Sequence, residues 1–121
     1  MDKEVRSLKR ACLKIGGSSF QVPGVIERDL CGELARKDWQ HQDGAGARLM
    51  KMRACSCHEN AAILAIEKNW TCITGMALSA DGCWRVHSWA MNQRGRVVET
   101  TVPRVAYYGV MLNREATEGL L

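Results

Sequence analysis

Ser56-Cys57-His58-Glu59-Asn60-Ala61-Ala62-Ile63-Leu64-Ala65-Ile66-Glu67-Lys68 is the stretch that decides the fold. Ser56 and Glu59 have the S-x-x-E spacing of a capping box, in which each side chain satisfies an otherwise unpaired backbone N–H of the first turn. Six apolar residues, 61–66, follow without a break. A short helix that is apolar on every side is surrounded by protein, so this segment is expected to be a buried central helix. Lys68 and Asn69 end it: a cation for the negative end of the helix dipole, then a residue that tolerates the left-handed conformation.

Downstream, the pattern changes to strands. Residues 70–78 and Cys83–Met91 are rich in β-branched and aromatic residues and flank the turn Ser79-Ala80-Asp81-Gly82. Asn92-Gln93-Arg94-Gly95 is a second turn, with glycine where a three-residue hairpin loop needs a positive φ. Residues 96–102 form a third strand, Pro103 breaks it, and 104–112 form a fourth. Residues 113–121 are a short helix or a frayed tail. Upstream, Val5, Leu8, Cys12 and Ile15 recur at helical spacing over 2–15, and Gly16-Gly17 stops the helix. Residues 25–39 read as a second helix, with Val25, Ile26, Leu30, Leu34 and Trp39 on one stripe. Residues 41–46 are a polar, glycine-rich loop, and 47–55 fit neither period. The expectation is one α+β domain over 1–121. A helical N-terminal portion (1–53) precedes a core (54–112) in which the buried helix packs on an antiparallel sheet of three or four strands.

The chain has 121 residues, 46% hydrophobic and 25% charged, which excludes whole-chain disorder and coiled coil. Residues 1–56 hold 11 basic and 7 acidic side chains, and 57–121 hold 6 of each. An excess of +4 spread over helical surface, without a dense basic block, argues against a nucleic-acid partner. No apolar run is long enough to span a bilayer, and MDKEVRSLKR lacks the apolar core of a signal peptide. A cytoplasmic protein with no membrane partner is expected. Its six cysteines are then six thiols.

Cys12 and Cys31 fall in helical patterns and Cys72 in a strand, as small buried hydrophobes. Cys55, Cys57 and Cys83 remain for chemistry. With Ser56 as N-cap, Cys57 is the first helical residue, where unpaired N–H groups and the positive end of the dipole favour thiolate. His58 follows directly, but neighbouring helical positions diverge by about 100°, so it is poorly placed to pair with Cys57. His41 lies in a remote loop. His87, mid-strand, has a carboxylate within reach. A loop of Gln93-Arg94-Gly95 sets Asn92 opposite Arg96, Trp89 opposite Glu99 and His87 opposite Thr101. All of His87, Trp89, Glu99 and Thr101 then share one hairpin face. Glu99, or the Thr101 hydroxyl, can fix the imidazole tautomer.

Cys57-His58-Glu59-Asn60-Ala61, Trp70-Thr71-Cys72-Ile73-Thr74-Gly75-Met76, His87-Ser88-Trp89 and Glu99-Thr100-Thr101, in that order, resemble the transglutaminase-like branch of the papain-like cysteine superfamily. The resemblance covers 54–102. It implies a papain-like core, with Cys57 as nucleophile, His87 as general base and acid, and Glu99 as orienting carboxylate. Ser56, Trp89 and Thr101 support them. It also implies a cysteine-dependent acyl transfer, of amidase, peptidase or deamidase type, on a protein, peptide or small amide, with no cofactor. Glu99 stands where the branch carries Asp, Met76 where it carries an aromatic, and no glutamine precedes Cys57 to build a papain-style oxyanion hole. Two other readings compete. One is a non-catalytic binding or regulatory module on the same frame, with Tyr107 and Tyr108 as contact aromatics and Arg94, Arg96 and Arg104 facing an anion. The other is a zinc site drawn from Cys55, Cys57, His58, Cys83 and His87.

Overall fold

The computed structural model describes residues 3–24 and 33–121. Helix α1 (Lys3–Ile15) buries Val5, Leu8 and Cys12 on one stripe and stops at Gly17, whose φ is +77°. Three short strands follow: β1 (Ser19–Phe20), β2 (Gln40–Asp43) and β3 (Arg48–Leu49). Then come α2 (Cys57–Lys68), β4 (Thr71–Leu78), β5 (Cys83–Met91), β6 (Val97–Glu99), β7 (Ala106–Leu112) and α3 (Arg114–Glu118). The class is α+β, as expected. Helix α2 ends at Asn69 in the left-handed conformation (φ 55°), which closes its last turn on the Ala65 and Ile66 carbonyls.

The N-terminal portion departs from the all-helical reading. The second helix expected over 25–39 lies largely outside the described residues. Its last part, 33–39, is turn and extended chain, where the Trp39 indole donates to the Glu33 carbonyl at 3.1 Å and its ring packs on Tyr108. The polar stretch Gln40–Asp43 is a strand because it lies at a sheet edge, where polar side chains can face water while the backbone pairs with β7.

The sheet is larger and more mixed than an antiparallel meander of three or four strands. Seven strands run in the order β2-β7-β4-β5-β6-β3, with β1 added on β5; β1 and β3 pair in parallel, the others antiparallel. Strand β7 does not stay beside β6. The 100–105 link carries it to the far edge of β4, where the Val105 N–H meets the Leu78 carbonyl at 2.8 Å.

One consequence positions the site. The β5 edge away from β4 is shared by β1, at Cys83 and Trp84, and by β6, at Ala90 and Met91. Among the described residues, 85–89 have no ladder partner on that edge, and the start of α2 comes against them. Strand alternation sorts the side chains there. Trp84 packs with α1, and Ala90 with Leu64 of α2; on the other face, Trp89 packs with Ile73, Val97 and Tyr107. His87 is two residues from Trp89 and shares its face.

Candidate active site

The hairpin register follows from its turn. Gly95 has φ +77°, Asn92 and Arg96 close the loop, and Ala90 pairs with Val98 and Met91 with Val97. Continuing that register sets Trp89 against Glu99 and His87 against Thr101, although the ladder itself ends at Ala90–Val98. Glu99, the last residue of β6 and one past the end of its ladder with β5, turns its carboxylate to His87: Nε2 lies 2.8 Å from Oε1 and 3.0 Å from Oε2. Both side chains are buried, 2% and 1% exposed. A carboxylate only accepts, so Nε2 carries the hydrogen, and Nδ1 is left for a second partner.

Glu99 is held from every side. The N–H groups of Thr100 and Thr101 and the Thr101 hydroxyl each donate to Oε2 at 3.0 Å. The Tyr107 hydroxyl donates to Oε1 at 2.8 Å. Arg104 stands 3.9 Å from Oε1 and donates to the Thr101 hydroxyl and to Ser79. Burial pushes the Glu99 carboxyl up, but the hydrogen bond and charge of His87, with the Thr101 and Tyr107 bonds, bring it down to about 2. Trp89 stacks beside the His87 ring (6.0 Å between centroids, 25° between planes), and Tyr107 packs against Trp89 at 4.8 Å. The two rings wall the pair off from water.

Cys57 is the first residue of α2, as the spacing predicts. The capping box is not formed. Ser56 occupies the N-cap position, but its hydroxyl turns back to the Ala54 carbonyl at 3.4 Å and makes no cap bond. The side chain that secures the helix start is Asn60, whose amide donates to the Arg53 carbonyl at 2.7 Å. The Cys57 thiol is half-buried, and burial pushes it up; hydrogen bonds from His58 and His87 outweigh this and bring it down to about 5. Burial lowers His87, while Cys57 and Glu99 on its two sides raise it further. His87 thus stands between the Glu99 carboxylate and the Cys57 thiol, an arrangement that favours thiolate facing imidazolium.

His58 is the residue that sequence reasoning misplaced. It does reach the thiol. Its Nδ1 lies 2.6 Å from the Ser88 hydroxyl, which donates to Thr74 at 2.9 Å, and both hydroxyls are fully buried. Since Ser88 has given its hydrogen to Thr74, it accepts from His58, and Nε2 is the ring atom left for sulfur. Divergence by 100° separates side-chain roots; it does not prevent an imidazole and a short thiol from meeting over the open edge of β5. Tyr107, a contact aromatic in the binding-module reading, is fully buried and serves Glu99.

Cys12, Cys72 and Cys83 take no part, and Cys31 lies outside the described residues. Cys12 and Cys72 are buried, which pushes each up to about 12. Cys83 lies at the start of β5, its sulfur on the Trp84 carbonyl. Among the described residues no group of three or more His, Cys, Asp or Glu side chains is placed to hold a metal ion, and no helix is long and apolar enough to cross a membrane. A cleft of about 400 Å³ opens beside the thiol, lined on the site's side by Cys55, Cys57, His87 and Thr101. No known family profile matches the chain, and neither a curated protein nor a solved structure matches it significantly.

Proposed function

We propose that the chain is a cysteine-dependent acyl-transfer enzyme, of amidase, peptidase or deamidase type, built on a papain-like, transglutaminase-like core. The observation that carries this reading is the buried His87–Glu99 pair in contact with a half-buried thiol at a helix N-terminus, beside an open cleft. Ordinary structural cysteines are pushed up by burial, as Cys12 is; Cys57 is pulled the other way.

The chemistry follows from these positions. The Cys57 thiolate attacks the carbonyl carbon of an amide or ester, and the carbonyl π pair moves to oxygen. As the first helical residue, Cys57 has a backbone N–H with no acceptor within the helix, available to this oxyanion at the helix's positive end. As the tetrahedral adduct collapses, the C–N or C–O bond breaks, and His87 protonates the leaving amine or alcohol from Nδ1. Glu99 keeps the ring oriented and offsets its positive charge. Water then enters. His87 takes its proton, hydroxide adds to the thioester, and the C–S bond breaks to release a carboxylic acid and restore the thiolate.

An activated ester tests the reading without knowledge of the natural substrate. Mixed with p-nitrophenyl acetate, the protein is expected to release a burst of one p-nitrophenolate per chain and to gain one acetyl group on Cys57 by mass mapping. Cys57→Ser should lose the burst, and His87→Ala should slow it at least about a hundredfold, the scale of positioned acid–base catalysis. A burst that survives in Cys57→Ser defeats the proposal.

A further inference from the structure

The cleft beside Cys57 has an electrical asymmetry. Its walls carry Lys51, Arg85 and Arg104 and no acidic side chain. Arg85 is already neutralised, because both its terminal nitrogens bond the Asp81 carboxylate, at 3.1 and 2.8 Å. Arg104 is matched by Glu99. The His87 imidazolium is matched by the thiolate. Lys51 is left without an acidic partner among the described residues, exposed on the rim of the cleft. The same walls carry apolar side chains, Met52, Val86 and Val102, the last 54% exposed. A low-dielectric wall beside one uncompensated cation strengthens that cation's field inside the cleft.

The geometry points to a substrate class: an acyl donor that carries its own carboxylate, held by Lys51 over the apolar wall while the reacting carbonyl lies at Cys57. An aspartyl, glutamyl or succinyl-like acyl group has this chemistry. The inference rests on the acyl-transfer reading and narrows it. A neutral aliphatic acyl group would fill the apolar wall and leave Lys51 unused; a cationic one would be repelled by it.

Two alkylating agents of nearly equal size, one anionic and one neutral, test the inference without any turnover. Rates of Cys57 modification by iodoacetate and by iodoacetamide are measured at pH 7 and low salt, with adducts mapped to separate Cys55. The ratio of the two is compared with that of glutathione. The expected ratio exceeds the glutathione ratio by about fivefold, the size of effect one nearby charge gives at intermediate dielectric. It should fall by at least that factor in Lys51→Glu, and partly in Lys51→Gln or in 0.5 M salt, where the Debye length is about 4 Å. Lys51 is exposed, so these variants are expected to fold, which circular dichroism checks. A ratio equal to that of glutathione, or one that Lys51→Glu leaves unchanged, overturns the anionic-donor inference while Cys57 still reacts rapidly. Slow reaction with both reagents overturns the acyl-transfer reading and this inference with it.

Discussion

At the scale of single residues, Cys57 is a contest between burial and two imidazoles. Desolvation alone would keep its proton at neutral pH; His58 and His87 reverse that. Thiolate fraction rises with pH, so iodoacetamide labelling of Cys57 is expected to reach half its maximal rate near pH 5 and to be flat by pH 7. Removing either imidazole takes away one hydrogen bond that stabilises the thiolate. His58→Ala and His87→Ala should each move the midpoint upward by about 1 to 2 units, and the double variant should carry it to about 8.5 or beyond, the range of an ordinary thiol. Stopped-flow or mass-mapped labelling between pH 4 and 9 reads these midpoints. A midpoint that stays near 8.5 in the unmodified protein, or that ignores His58→Ala, contradicts the two-imidazole site. How much of this was legible differs by residue. His87 and Glu99 could be paired from the turn alone, because side chains alternate strictly along strands and the loop length fixes the register. His58 could not, because its partner Ser88 lies on the opposite face of β5 from His87, and only the open strand edge lets both imidazoles reach one sulfur.

At the scale of elements, the strands with long apolar or aromatic patterns were legible and the short ones were not. Strand β5 lies where its pattern and flanking turns put it. Strand β6 is shorter than its pattern because Thr100 and Thr101, beyond its end, turn their N–H groups to the Glu99 carboxylate. Strands β1, β2 and β3 owe their existence to edges that other strands offer, which no local pattern records. Close packing of β4 on β7 has its own local signature. Gly75 faces Gly109, and a Cβ on Gly109 would lie 2.5 Å from the Thr74 carbonyl oxygen and 2.8 Å from the Trp89 ring. That ring is the wall beside His87. Gly109→Ala is therefore expected to cost about 1 to 3 kcal/mol, as overpacking does, and to slow Cys57 labelling at pH 6 by shifting Trp89. Gly46→Ala, where a Cβ meets nothing within 4 Å, should change stability by less than about 0.5 kcal/mol. Urea midpoints of the two variants decide it. Equal midpoints would mean that the β4–β7 contact yields easily and does not fix Trp89.

At the scale of the whole molecule, the buried Glu99 carboxylate is also the joint between sheet and site. Glu99 closes β6, orients His87, receives Tyr107 from β7 and fixes the 100–101 turn. Its five donors are His87 Nε2, Thr100 N–H, Thr101 N–H and hydroxyl, and Tyr107 hydroxyl. Five donors converging on one group require a pure acceptor, which an ionised carboxylate is. In Glu99→Gln the amide would point two N–H groups at other donors. A loss of about 3 to 5 kcal/mol at pH 7 is expected, the scale for breaking a buried charge pair. The pH dependence separates charge from shape. The folded-state Glu99 carboxyl is depressed to about 2 from an ordinary 4.5, so its contribution is complete above about pH 4.5 and is lost as pH falls through about 2. That window carries about 3 kcal/mol of stability, which Glu99→Gln lacks. His87 acts in the opposite sense. Its folded-state value is raised above 6.5, so its contribution is complete below that and is lost as pH rises through the raised value. Chemical denaturation at pH 7, 4.5 and 2.5 should therefore show the unmodified protein losing stability more steeply than Glu99→Gln below pH 4.5. The other carboxylates titrate in both proteins and cancel in the comparison. Parallel losses would mean that Glu99 is held by shape alone, and that its charge neither supports the sheet nor is available to stabilise a protonated His87.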